Sequence, residues 1–165
     1  MILYFLRHAD AEPAGPEGDA ARRLSPAGLA ALRAAGPLLR RLNLRPDAVL
    51  SSPLPRAMQT AELLVEGIGL DRAPQPDDRL APGATWADFA RAMTAHPGAR
   101  RVLFVGHEPD LSSAIAALTG AASVRMRKGG LACVEFPGTP EPGTGELAWL
   151  IDPDLYRAEE EPAGA

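Results

Sequence analysis

Val102-Leu103-Phe104-Val105 is followed at once by Gly106-His107-Glu108. Four consecutive large apolar residues without alternation mark a strand covered on both faces, as in the middle of a parallel sheet. The run stops at a glycine and a histidine, so an ionisable group stands just past the carboxyl end of a buried strand. The N-terminus repeats the pattern: Ile2-Leu3-Tyr4-Phe5-Leu6 is apolar throughout and meets Arg7-His8. A third run, Ala48-Val49-Leu50-Ser51, leads into Ser52-Pro53, with Arg56 shortly after.

Between these strands the pattern changes period. Ser25-Pro26 supplies an N-cap and a first-turn proline, and Leu29, Leu32, Leu38, Leu39 and Leu42 follow at mostly helical spacing, predicting a helix that ends near Asn43. Pro55 to Gly67 reads as a second helix, with Ala57, Thr60, Ala61 and Leu64 on one side. From Leu70 to Gly83 prolines and aspartates are expected to interrupt any regular element. Trp86, Phe89, Ala90 and Met93 mark a third helix closing near His96, and Leu111, Ile115 and Leu118 a fourth ending at Gly120. Leu131 to Phe136 and Leu147 to Ile151 read as two further strands, paired as a hairpin. The segment from Ala9 to Arg23 is polar, rich in Pro, Gly and acid, and must be a long loop, which in a compact domain is usually functional or disordered. Alternating strands and helices predict an α/β fold, a three-layer sandwich with a largely parallel central sheet.

Composition narrows the function. At 165 residues the chain fits one domain, assigned to 1–157, with an acidic, frayed tail over 158–165. A net charge of −4 is the wrong sign for a dedicated nucleic-acid binder. No apolar run approaches the roughly 18 residues that cross a bilayer, and no secretion signal precedes Arg7, so neither a membrane nor an export role is expected and the chain reads as cytoplasmic. Cys133 is the lone cysteine, which excludes internal disulfides and cysteine-based zinc sites. Lys128 is the only lysine among 17 basic residues, so arginine is the default cation here and a given arginine matters only by position.

Position singles out four residues. In open parallel sheets ligands bind outside the carboxyl ends of the strands, where the chain turns and helix N-termini point inward. His8 and His107 both belong on that edge, with Arg7 and Arg56 beside them; His96, before Pro97 at a helix end, reads as ordinary. Ionisable groups are not placed at buried strand ends without partners, because burying a charge costs several kcal/mol. Guanidinium forks match phosphate oxygens, and an imidazole can attack phosphorus or donate a proton to an oxygen. The set asks for a phosphoryl group.

Four blocks carry a resemblance: Leu6-Arg7-His8-Ala9-Asp10, Leu24-Ser25-Pro26-Ala27-Gly28, Ser51 through Ala61 with Arg56 inside it, and Val105-Gly106-His107. In order, spacing and context they resemble the histidine phosphatase superfamily, with its phosphoglycerate mutase-like fold, over about Met1 to Pro153. The short length, the Arg-His-Ala-Asp-Ala-Glu opening and Lys128-Gly129-Gly130-Leu131-Ala132 look like the SixA type of phosphohistidine phosphatase. The resemblance implies that His8 is the nucleophile of a phosphohistidine intermediate and that Arg7, Arg56 and His107 bind the phosphoryl oxygens, with no cofactor and no metal. It also implies a protein carrying phosphohistidine as partner, with a small phosphate ester as the alternative substrate and a non-catalytic phosphate-binding module as the alternative role.

The pattern departs from the wider family at the general acid. Larger members carry a glutamate after the second helix, and the matching Asp78-Arg79-Leu80-Ala81-Pro82-Gly83 has no carboxylate at that position. Glu108 stands where the acid-phosphatase branch places an aspartate and is the candidate donor, followed by Asp10, Glu12 and Asp19. A protonated phosphoimidazole leaves as a neutral ring, so the gap suits a phosphoramidate. Without a large insertion before Val102, the site is expected to be shallow and open. Arg125, Arg127 and Lys128 form a basic cluster able to meet an acidic partner. Among other chemistries, a metal site of His8, Asp10, His107 and Asp110 lacks the second histidine of His-Glu-x-x-His. Cys133 has no arginine six residues on, and Asp152-Pro153-Asp154 has no downstream elements to complete an aspartyl-phosphate site.

Overall fold

A computed structural model describes residues 1–156. The proposed frayed tail, 158–165, lies outside the described residues. Six strands form one sheet in the order β3-β2-β4-β1-β5-β6. They are β1 (Ile2–Arg7), β2 (Ala48–Ser51), β3 (Gln75–Pro76), β4 (Arg101–Gly106), β5 (Leu131–Glu135) and β6 (Glu146–Ile151). β3, β2, β4 and β1 run parallel. β5 is antiparallel to β1, and β6 returns beside it as the expected hairpin.

The unbroken apolar runs are explained by the two cores they feed. Successive strand residues point to opposite faces. Leu3, Phe5, Leu50, Val102 and Phe104 pack on one side with Phe89, Leu111, Ile115 and Leu118. Tyr4, Leu6, Val49, Leu103 and Val105 pack on the other with Leu39, Ala57, Ala61 and Leu64. The first face is covered by α3 (Trp86–Met93) and α4 (Asp110–Thr119), the second by α1 (Pro26–Arg41) and α2 (Pro55–Ile68). The three-layer reading of the sequence is therefore the observed one.

Boundaries differ where local signals are weak. α1 stops at Arg41, because Asn43 turns the chain with φ 52°. α3 stops at Met93 rather than near His96. The stretch from Leu70 to Gly83 is not without regular structure: β3 pairs with β2 at Leu50 and Ser51, and Asp78–Leu80 form a 3-10 turn. Two exposed residues carry no hydrophobic period, so β3 exists only through its neighbour. Among the described residues no helix is long and apolar enough to cross a membrane.

Register levels the strand ends. Leu6 pairs with Val105, Arg7 with Gly106 and Ser51 with Val105. The His8 N–H donates to the Gly106 carbonyl at 3.0 Å and the Ser52 N–H to the Val105 carbonyl at 2.9 Å. Because β5 is antiparallel, its N-terminal end reaches the same edge, where the Arg7 N–H donates to Gly130 at 3.0 Å and the Gly129 N–H donates to the carbonyls of Arg7 and His8.

Candidate active site

His8 stands one residue past β1, and its tautomer follows from one hydrogen bond. Nδ1 lies 2.8 Å from the Ala9 carbonyl oxygen. A carbonyl can only accept, so Nδ1 carries the hydrogen and Nε2 keeps the lone pair. Burial pushes the ring down to about 4, against the raising effect of the Ala9 bond and helped by the cations Arg56 and Arg7. Near pH 7 it is a neutral base. The adjoining backbone is held as well: the Ala9 N–H donates to Thr60 Oγ1 at 3.1 Å, and that hydroxyl donates to the Arg56 carbonyl at 2.7 Å. Arg56 and Thr60 are four apart on α2, so one helical turn ties the second arginine to the histidine loop.

His107 lies one residue past β4, its ring centroid 5.2 Å from that of His8. It is 4% exposed. Burial, then the neighbouring His8 and Arg56, push it down to about 3, while Asp19 opposes them. Arg7 donates from one terminal nitrogen to the Met126 carbonyl at 2.8 Å. Arg56, also 4% exposed, donates from both terminal nitrogens to Asp19, at 2.8 Å to the carbonyl and 2.9 Å to Oδ2. Arg7 Nε, Arg56 Nε and His107 Nδ1 are buried side-chain nitrogens without a hydrogen-bond partner among the described residues. Buried polar nitrogens in a protein interior call for a partner. All three belong to the residues that the strand ends bring together, and an oxyanion is a group able to fill such a place.

The carboxylates take different places. Glu108 Oε1 accepts the Ser112 N–H at 3.2 Å, near the start of α4, and the side chain borders a cavity of about 520 Å³ together with Arg7. Asp19 sits in a 3-10 turn, Asp19–Ala21, inside the loop after β1 and bridges Arg22 and Arg56. Its bond to Arg22, then the charge of Arg56, hold its carboxyl below the usual range. It is ionised at neutral pH and has no proton to give, so it does not suit the donor role considered for it. Asp10 accepts from Lys128 Nζ and Ser25 Oγ, both at 2.7 Å, and is held low in the same way. Glu12 bonds through its backbone, its carbonyl accepting from Arg22 Nε and its N–H donating to the Arg23 carbonyl.

The loop also changes the expected shape. His8 is only 8% exposed, and the Ala9 to Arg23 segment lies against the site through Asp19 and Arg56. The open face is the cavity on the Arg7 side, lined by Asp10, Gly28, Glu108, Arg125 and Lys128 among others. The basic cluster is largely self-neutralised. Arg127 pairs with Asp152 and Asp154, and Lys128 with Asp10. Asp110 is committed to the backbone N–H groups of Gly83 and Ala84. Among the described residues no three His, Cys, Asp or Glu side chains gather where a metal ion could be held.

Sequence reasoning missed Ser52, whose Oγ lies 2.7 Å from His107 Nε2, and the Met126 carbonyl that anchors Arg7. Ser52 had a usable signal, since it too follows a buried strand directly. Met126 had none, because only the fold brings it to Arg7.

Residues 3–82 match the model of the histidine phosphatase superfamily, branch 1. An uncharacterized protein of Picosynechococcus sp. is 36% identical over 140 residues, which is 79% of this chain and 82% of that protein. The solved structure of the protein histidine phosphatase SixA complexed with tungstate superposes at a TM-score of 0.82 with 25% identity, covering 94% of this chain and 99% of that one. An alpha-ribazole phosphatase from Shigella flexneri shares the fold at a TM-score of 0.67 and 18% identity, covering 93% of this chain and 97% of that one.

Proposed function

Because the chain belongs to the histidine phosphatase superfamily, we propose that this phosphatase removes phosphate from phosphohistidine carried on another protein, with His8 as nucleophile. One observation carries the nucleophile assignment. The Nδ1–H of His8 is spent on the Ala9 carbonyl, which leaves a neutral Nε2 lone pair beside three unpartnered buried nitrogens of Arg7, Arg56 and His107.

In the first step His8 Nε2 forms a bond to phosphorus while the bond from phosphorus to the substrate nitrogen breaks, and the electron pair returns to that nitrogen. If the other nitrogen of the substrate ring bears a proton, the ring leaves neutral and no acid is needed. In the second step a water oxygen attacks phosphorus, the bond to Nε2 breaks, and the water proton leaves with the phosphate or the solvent. Arg7, Arg56 and His107 hold the equatorial oxygens through both steps. Preorganised donors of this kind are worth roughly 3–4 kcal/mol each in transition-state stabilisation. SixA holds tungstate, and the same oxyanion is expected to compete with substrate here.

The substrate class rests on two further supports. The stretch Asp78 to Gly83 carries no carboxylate at the place of the wider family's glutamate, which leaves Glu108 beside Arg7 as the candidate donor, and the cavity there is wide enough for a side chain presented by a partner. The decisive assay incubates the protein with a phosphorylated histidine-carrier protein in the presence of EDTA and follows phosphate release together with acid-labile phosphoenzyme. Turnover is expected without added metal, and His8→Ala is expected to lose both signals. Persisting turnover in His8→Ala, or its abolition by EDTA, sinks the mechanism. Hydrolysis of small phosphate esters alone would overturn the substrate class and leave the nucleophile standing. Phosphate binding without any turnover would make the chain a binding module.

A further inference from the structure

His107 has one ring nitrogen engaged and one not. Nε2 lies 2.7 Å from Ser52 Oγ, and Nδ1 is buried without a partner. A neutral imidazole carries a single ring proton, so whatever fixes one nitrogen determines what the other presents. If the hydroxyl donates to Nε2, Nδ1 bears the hydrogen and acts as a donor. If Nε2–H donates to the hydroxyl oxygen, Nδ1 presents a lone pair and repels an oxyanion.

The surroundings of Ser52 select between these. Ser52 is completely buried, so water does not share its hydroxyl. Its Oγ accepts the Leu54 N–H at 3.4 Å, and its remaining neighbour at hydrogen-bond distance among the described residues is His107 Nε2. The hydroxyl hydrogen therefore has one acceptor available. Reversing the bond would leave that hydrogen unsatisfied where nothing replaces it, an arrangement interiors avoid. The geometry is imposed by the sheet: the Ser52 N–H donates to the Val105 carbonyl, two residues before His107, so the β2 and β4 ends hold the pair in register.

We propose that Ser52 is a positioning residue that locks His107 as its Nδ1–H tautomer, turning a neutral ring into a hydrogen-bond donor for a phosphoryl oxygen. The use of that donor rests on the proposed phosphatase site, but the tautomer does not. This mirrors histidines elsewhere whose free nitrogen is set by the bond the other one makes.

Histidine-selective ¹⁵N NMR of the whole protein at neutral pH tests it. His107, assigned by its loss in His107→Gln, should show a protonated Nδ1 and an unprotonated Nε2. In Ser52→Ala that separation should collapse toward exchange between tautomers, and affinity for tungstate, used as the oxyanion probe, should fall roughly 10- to 100-fold, the usual cost of losing such a support. A protonated Nε2 in the native protein overturns the proposal, whether or not the variant folds. So does a folded Ser52→Ala protein with an unchanged ¹⁵N pattern and unchanged tungstate affinity. Retained turnover in His8→Ala would instead overturn the phosphatase mechanism and leave the tautomer result intact.

Discussion

At the scale of single residues, the two histidines trade charge for burial. His8 is pushed to about 4 and His107 to about 3 from an ordinary value near 6.5, in each case by burial first. Both values lie below that of the unfolded chain, so between about pH 6.5 and about pH 4 the unfolded state binds more protons than the folded one. Stability is present in full above that window and is lost as pH falls through it, on the order of 3 kcal/mol for His8 alone. Thermal unfolding midpoints should therefore drop as pH is lowered from 6.5 to 4, and His8→Gln should flatten the decline; equal slopes in the two proteins would contradict the assignment. The guanidinium charges of Arg7 and Arg56 add to the downward push on both rings. The positions of Arg7, His8 and His107 were legible because each stands at or just past the end of an apolar run, and Arg56 because it enters the helix that follows such a run. The tautomer of His107 was not, since it depends on a hydroxyl 55 residues away in sequence.

At the scale of elements, the loop after β1 is tied to the start of α1. Ser25 Oγ accepts the Gly28 N–H at 3.1 Å as the N-cap and donates to Asp10 Oδ2. Gly28 sits directly against the chain just past His8: a Cβ there would come within 2.2 Å of the Asp10 carbonyl oxygen and 3.0 Å of its N and C atoms. The obstacle is backbone on both sides, so neither can yield cheaply. Gly28→Ala should destabilise the protein by about 2–3 kcal/mol, even though alanine favours a helix. Urea unfolding measures this, and a stabilised variant would show that α1 does not press on Asp10. The sequence motif Leu24-Ser25-Pro26-Ala27-Gly28 announced a helix start, but the need for glycine at its fifth position came from the backbone of Asp10, 18 residues earlier. β3 was unreadable for the same kind of reason, because two polar-flanked residues become a strand only beside β2.

At the scale of the whole molecule, one sheet edge collects segments from both ends of the chain. Tyr156 is 1% exposed, packs in the core shared with α1 and α2, and donates from its hydroxyl to the Gly129 carbonyl at 2.8 Å. Gly129 in turn donates to Arg7 and His8, so the last described turn supports the backbone of His8. Tyr156→Ala should cost about 3–5 kcal/mol through the lost core volume, and Tyr156→Phe about 1 kcal/mol through the hydrogen bond alone. Denaturant titration of the two variants separates the contributions; equal losses would mean the ring packs loosely. Chain length misled about access. A chain without a large insertion was expected to leave its site open, yet the long loop from Ala9 to Arg23 reaches Arg56 through Asp19, and His8 is only 8% exposed. By itself the sequence determined every strand but β3, the four α-helices and the edge on which His8, His107, Arg7 and Arg56 meet, because hydrophobic period and strand ends are local properties of the chain. Only the tertiary structure decided which acids pair with which cations, which carbonyl anchors Arg7 and which hydroxyl holds His107. Those are contacts between segments far apart in sequence, and hydrogen-bond geometry within a few tenths of an ångström leaves no periodic trace in the residues that make them.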